Sequence, residues 1–277
     1  MALLELLAYD SSTMRRICML LVLCLIPHWG LSQPAKLESR LVTARALYYT
    51  PTTAGLGSFG CKVAVDWKNV LNTASSKEIK DDNPFLVYLN SVHLALNDTL
   101  RGNGALEWSE TTAPSEPVKD ATAKMKEGLG QMVSGFFDSW NGFLNGTMVP
   151  APDRTTTLTP QNAGIHLHAE QGQTVLDEDY DENMLLTNIH VVSGTIDAKV
   201  APVFSDTPDG RIISSIQGEY RQPATAPPVY LTMGIEYGQV SGYRLPTKIR
   251  YQVKNVLQMD INLSDCTVKP IEKAAKP

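Results

Sequence analysis

The chain has 277 residues, with 24 Lys and Arg against 29 Asp and Glu and a net charge of −5. That length suits one large domain or two small ones. The mild acidity argues against a nucleic-acid partner, which would favour a basic face, and leaves small ligands open.

In chain order, Met14-Arg15-Arg16 precedes an apolar run from Ile17 to Ile26, then Pro27-His28-Trp29-Gly30-Leu31-Ser32. A basic start, a short apolar core and small residues at Gly30 and Ser32 predict a secretory signal peptide over residues 1–32, with Met14 as the initiator. The run is shorter than the ~20 residues of a membrane span. Cys24 follows Leu23 rather than a small residue, so lipidation is not expected. No later apolar run is long enough to span a membrane, so the mature chain is expected to be soluble and exported.

Leu37, Leu41, Ala44, Leu47 and Tyr48 then recur at helical spacing, ending before Pro51. A glycine stretch (Gly55, Gly57, Gly60) leads into a predicted strand over 59–67, followed by short helices over 69–75 and 83–89. Strands are expected over 92–98 and 104–108. Residues 115–145 carry the strongest helical signal, with Ser115 as N-cap, Glu116 and Pro117 in the first turn and Asn145-Gly146 at the end. Val118, Met125, Leu129, Met132, Phe136, Phe137, Trp140 and Phe143 fall on one wide arc of it. Gly128, Gly135 and Gly142, seven apart, imply either close backbone contact or a helix that bends.

From residue 155 the pattern is strand after strand: 155–159, 164–168, 173–177, 184–192, 195–204, 211–220, 229–239, 247–253 and 257–263. Short links predict an antiparallel meander. The last three alternate: Met233, Ile235 and Tyr237 share a face, as do Ile249 and Tyr251, then Met259 and Ile261. One face of this sheet is therefore apolar and the other polar. The tail 270–277 reads as disordered.

Cys61 and Cys266 are the two cysteines left after the signal, and an oxidising compartment predicts a disulfide between them. Closing so long a loop is worth about 5 kcal/mol in the chain-entropy model. Cys61 alternates with apolar residues and Cys266 with Asn262 and Ser264. A bulge or strand end near Asp265 would reconcile the two faces.

The glycines 55, 57 and 60 fit G-x-G-x-x-G, but a dinucleotide fingerprint needs a strand before and a helix after. Here the order is reversed, so the stretch is expected to connect helix to strand, with no cofactor. His166 and His168, two apart on a strand, could form a metal pair, but the wet face of a strand whose Ile165 and Leu167 face the core is the better account of them. The acidic run from Asp177 to Glu182 misses the calcium-loop pattern, with Glu182 at the glycine position and Asn188 at the bidentate glutamate position, and reads as a solvated turn. There is no G-x-S-x-G elbow. Asn97, Asn145 and Asn262 begin N-x-[ST] triplets, which chance supplies readily.

Tyr237, Val240, Gly242, Leu245 and Pro246, followed by Ile261, Leu263, Ser264, Asp265 and Val268, resemble the closing strands of the LolA/LolB-like outer-membrane lipoprotein-carrier superfamily. Asp206 to Ser215 resembles its mid-sheet hairpin. The resemblance implies an α+β fold, an open antiparallel β half-barrel with helices packed in the concave face, as one domain over 33–269. It also implies acyl chains held between sheet and helices, in the periplasm of a bacterial cell envelope, with peripheral contact with envelope membranes as a further expectation. No ligand-contact residue carries over individually, and the early-strand arginine of the carriers has no counterpart here.

Three functions follow as expectations. The first is a non-enzymatic carrier whose partner is an acyl chain or lipidated protein. Met125, Met132, Phe136, Trp140 and Phe143 would line the helix side, and Met233, Ile235, Tyr251 and Met259 the sheet side. The second is an envelope interaction or stress-sensing module with a filled core. The third is a metal-dependent hydrolase using His166 and His168.

Overall fold

The computed structural model describes residues 35–100, 104–145, 156–161, 164–254 and 256–271. The expected signal segment, the loop 146–155 and the tail beyond Ile271 lie outside the described residues. In chain order the elements are α1 (Ala35–Arg45), β1 (Leu56–Val65), α2 (Trp67–Ser75), α3 (Pro84–Asn90), β2 (His93–Thr99) and β3 (Ala105–Ser109). A 3-10 turn over Glu116–Val118 leads into α4 (Lys119–Asn145). Then come β4 (Thr156–Gln161), β5 (Gly164–Gln171), β6 (Thr174–Tyr180), β7 (Leu186–Ser193), β8 (Ile196–Thr207) and β9 (Gly210–Arg221), and finally β10 (Val229–Val240), β11 (Tyr243–Val253) and β12 (Leu257–Pro270).

The strands form one antiparallel sheet in the order β3-β2-β1-β12-β11-β10-β9-β8-β7-β6-β5-β4. β3 and β4 are its edges, so the sheet is open and the fold class is α+β. From β4 to β12 each strand pairs with its chain neighbour, as short links require. β1 instead pairs with β12, which lies at the far end of the chain. The described residues divide into two compact units, one of residues 51–141 and 235–271, the other of residues 35–50 and 142–234. β10 contributes to both.

In the first unit, local chemistry sets the short helices. Asp66 caps α2, its Oδ1 accepting from Asn69 N at 3.0 Å. Asn83 caps α3, its Oδ1 accepting from Phe85 N and Leu86 N, with Pro84 in the first turn. Ser115 stands at the start of the 3-10 turn but makes no side-chain cap bond; only its carbonyl is used, by Val118 N. β1 begins at Leu56, so Gly57 and Gly60 lie inside the strand and only Gly55 belongs to the connector. The reversed helix-then-strand order read from the sequence is what the fold contains.

The Cys61–Cys266 disulfide joins β1 to β12. Gly60 pairs with Thr267 and Lys62 with Ser264, so β12 carries one extra residue opposite Cys61. Asp265, at φ 49°, is the turn in that bulge. The bulge brings Cys266 round to Cys61 despite its polar-face alternation.

In the second unit, Tyr48 follows α1 and anchors it to the sheet. Its hydroxyl donates to Met184 O and accepts from Leu186 N, both at 3.2 Å, and its ring meets Phe204 edge-on at 5.1 Å. The backbone of Leu47 and Tyr49 bonds to Arg211. Gly210, at φ 122°, is required there, because a Cβ would lie 2.9 Å from Tyr49 N. Residues 177–180 are strand β6 rather than a solvated turn: Asp177 and Asp179 face outward while Glu178 and Tyr180 are buried. The turn proper starts at Asp181, whose Oδ1 accepts from Asn183 N and Leu185 N.

Candidate functional site

The candidate site lies in the first unit, where α4 meets strands β1, β11 and the second half of β10. α4 has 27 residues, about 40 Å at 1.5 Å per residue. Its upstream half is only partly covered, with Met125, Gly128 and Gly130 half-buried. From Leu129 on, Met132, Val133, Phe136, Phe137 and Trp140 are buried. Burial of each such side chain is worth ~1.5–3 kcal/mol, so the downstream half holds the helix in place.

The contacts are mostly ring edges. Phe59 of β1 meets Phe137 at 5.7 Å and Trp140 at 5.9 Å, centroid to centroid. Phe136 meets Phe137 at 4.9 Å and Tyr251 of β11 at 6.3 Å. These T-shaped pairs add about 0.5–1.5 kcal/mol each beyond burial. A Cβ on Gly104 would lie 2.6 Å from the Phe137 Cβ, so glycine at the start of β3 makes room for that ring. Two hydrogen bonds fix the helix along the sheet: Trp140 Nε1 donates to the Tyr237 hydroxyl at 3.1 Å, and the Tyr251 hydroxyl donates to Met132 O at 3.2 Å. Burial pushes the Tyr237 pKa up, with the Trp140 donor partly offsetting it, so the phenol stays neutral.

Of the residues expected to line this site, the structure brings Met132, Phe136, Trp140 and Tyr251 together. Met259 pairs with Tyr251 across β11 and β12 and is buried. Ile235 is buried on β10, two residues before Tyr237. Met125 is half-buried two turns upstream of Met132. Met233 belongs to the second unit, buried opposite Ile216. The side chain of Phe143 lies outside the described residues. Phe59, Phe137 and Tyr237 complete the cluster. Phe137 was on the predicted helical arc, and Phe59 shares alternation with Cys61, which was the signal available for it.

The glycine row has a partial answer. Of that row, Gly135 is buried, whereas Gly128 has nothing within 4 Å of a built Cβ, nor has Gly130 beside it, so close contact is not why glycine occupies these last two positions. Each weakens the upstream helix by about 1 kcal/mol relative to alanine.

His166 and His168 lie in the second unit on the polar face of β5. His166 Nδ1 is 2.8 Å from Asp179 Oδ1, and His168 Nδ1 is 2.7 Å from Asp177 Oδ1. Among the described residues no group of three or more His, Cys, Asp or Glu side chains is placed to hold a metal ion. No described helix is long and apolar enough to cross a membrane.

Comparison with protein-family models, with curated proteins and with solved structures finds no match.

Proposed function

We propose that the protein is an exported binding protein for an acyl chain or a lipidated polypeptide, with α4 as the cover of the binding face. The observation that carries this reading is the uneven seating of α4. Its aromatic-rich downstream half is pressed on β1, β11 and the second half of β10, while its upstream half is partly exposed and carries two glycines that no contact explains. A helix anchored at one end and weakened at the other can lift from an apolar face that an acyl chain would then cover. Burial at ~25 cal/mol per Å² would drive binding. Methionines at positions 125, 132 and 259 can repack around chains of different shape. The secretory signal expected at residues 1–32 and the Cys61–Cys266 bridge support export to an oxidising compartment, for which the resemblance of the closing strands suggests the bacterial periplasm.

A dansyl-labelled undecanoic acid titrated into delipidated protein tests the reading. Saturable emission is expected, with a thermal midpoint raised by roughly 5–10 °C at a hundredfold excess over Kd. No saturation and no shift would overturn it.

A second reading, an interaction module with a filled core, is favoured by the ring contacts themselves. Phe59, Phe136, Phe137, Trp140 and Tyr251 touch directly, which leaves no thickness for a chain between them while the helix is down. The same titration separates the two, since a filled core binds no probe.

A further inference from the structure

We propose that strands β5–β8 form a proton-loaded element, tightened in mild acid and loosened in mild base by histidine–aspartate pairs on one face and a buried carboxyl on the other.

The polar face carries the pairs in cross-strand register. His166 and His168 of β5 stand opposite Asp179 and Asp177 of β6, and Asp177 in turn stands opposite His190 of β7. Asp177 Oδ1 lies between two imidazoles, 2.7 Å from His168 Nδ1 and 3.3 Å from His166 Nε2. His190 Nε2 is 2.8 Å from Asp197 Oδ1 of β8. These contacts become ion pairs only when the imidazoles are protonated, and the three histidine side chains are about two-thirds covered, with exposures of 31%, 36% and 30%. Glu170 adds a second carboxylate to His168, at 3.2 Å from Nε2. On the β4 side the neighbours are neutral, Thr157 and Thr159. Lys199 of β8 stands opposite His190, Lys199 itself faces Glu219, and Asp197 stands opposite Arg221.

The other face carries Glu178, buried between Leu167 and Ile189 on the flanking strands. Its Oε2 accepts from the Tyr180 hydroxyl at 2.6 Å. Beyond Tyr180 stands Tyr48, which in turn has Arg211 and Asp181 as its charged neighbours. No described cation pairs with Glu178, so its neutral form is the one the site accommodates.

Both faces act in the same direction. The Asp177 hydrogen bond raises the His168 pKa above its usual 6.5, so its contribution is fully present below 6.5 and is lost as pH rises through the folded value. Burial pushes Glu178 from its usual 4.5 to about 8, so its contribution is fully present below 4.5 and is lost as pH rises towards and past 8. Stability of these strands therefore declines from mild acid to mild base.

Amide hydrogen exchange of the full chain at pH 5.5, 7 and 8.5, corrected for the intrinsic chemical rate, tests this. Protection of β5–β8 is expected to fall about tenfold or more across the series, since one pKa unit is a factor of ten, while β11 and β12 hold theirs. His166→Gln/His168→Gln/His190→Gln combined with Glu178→Gln should flatten the fall. If that variant does not fold, His168→Gln and Glu178→Gln alone should each remove part of it. A wild-type profile flat with pH, or variants that keep the wild-type fall, would overturn the proposal.

Discussion

The two units use the same sheet and secure its polar face with different chemistry. In the first unit, Asp260 sits between permanent cations, 2.6 Å from Lys248 Nζ and 3.2 Å from Arg250 Nε. In the second, Asp177 and Asp179 of β6 face histidines across the strands, although Asp206 of β8 keeps a permanent cation, Arg211 Nε at 3.1 Å. Burial alone would raise the Asp260 pKa, but Lys248 and Arg250 more than offset it and hold the carboxyl below its usual value of 3.8. Its contribution is present above 3.8 and lost as pH falls through the folded value. One unit thus loses support in strong acid and the other in mild base. The cation placed against Asp260 and the one placed against Asp177 give opposite pH responses at the two places.

The buried faces differ as well. The first unit combines a covalent staple with an aromatic cluster under α4, whereas the second places an ionisable glutamate among Leu167 and Ile189. Trp140→Ala should give the largest effect, a loss of about 3–5 kcal/mol in urea unfolding, because it removes the ring that meets Phe59 and the donor to Tyr237. Hydrogen exchange should place that loss in β1, β11 and β12; an equal loss in β5–β8 would break the distinction between the units. Cys61→Ser with Cys266→Ser should cost roughly 2–5 kcal/mol, again with the first unit opening first.

Smaller effects sharpen the account of α4. Gly128→Ala with Gly130→Ala should stabilise the chain by up to about 1 kcal/mol per site, since both positions face open space. The same pair should weaken acyl-probe binding if the helix must lift, and a doubled alanine variant that binds the probe more tightly would contradict lifting. Asp260→Asn should cost on the order of 1 kcal/mol at pH 7 and progressively less as pH falls below 3.8 through the lowered folded value; equilibrium unfolding across that range checks it.

The apolar faces of β10–β12 were legible because polar residues fill the opposite positions, and α4 because its apolar residues from Met125 to Phe143 keep one helical arc. Strand ends were less so. β12 continues past Leu263 to Pro270 through Ser264, Asp265 and Thr267, which give no apolar alternation to follow, yet the bulge at Asp265 was readable from the mismatch between the two cysteines' faces. The partnership of Phe59 with α4 was not legible, because β1 pairs with a strand at the other end of the chain and local periodicity carries no such register. The histidine–aspartate pairs were legible in principle. The hairpin turn at Gly172 sets Gln171 opposite Thr174, and counting back from it places His168 opposite Asp177 and His166 opposite Asp179. Reading residues 177–182 as a turn concealed that register, because five acidic side chains there suggested solvent rather than a strand with one buried carboxyl.

The central claim is that α4 covers a face built to take an acyl chain. Organic extraction of protein purified without detergent, followed by mass spectrometry, tests it most directly. The account predicts an acyl-bearing molecule approaching one equivalent per chain, lost in Trp140→Ala. An extract free of acyl species, from protein that also fails to bind the labelled fatty acid, would contradict it.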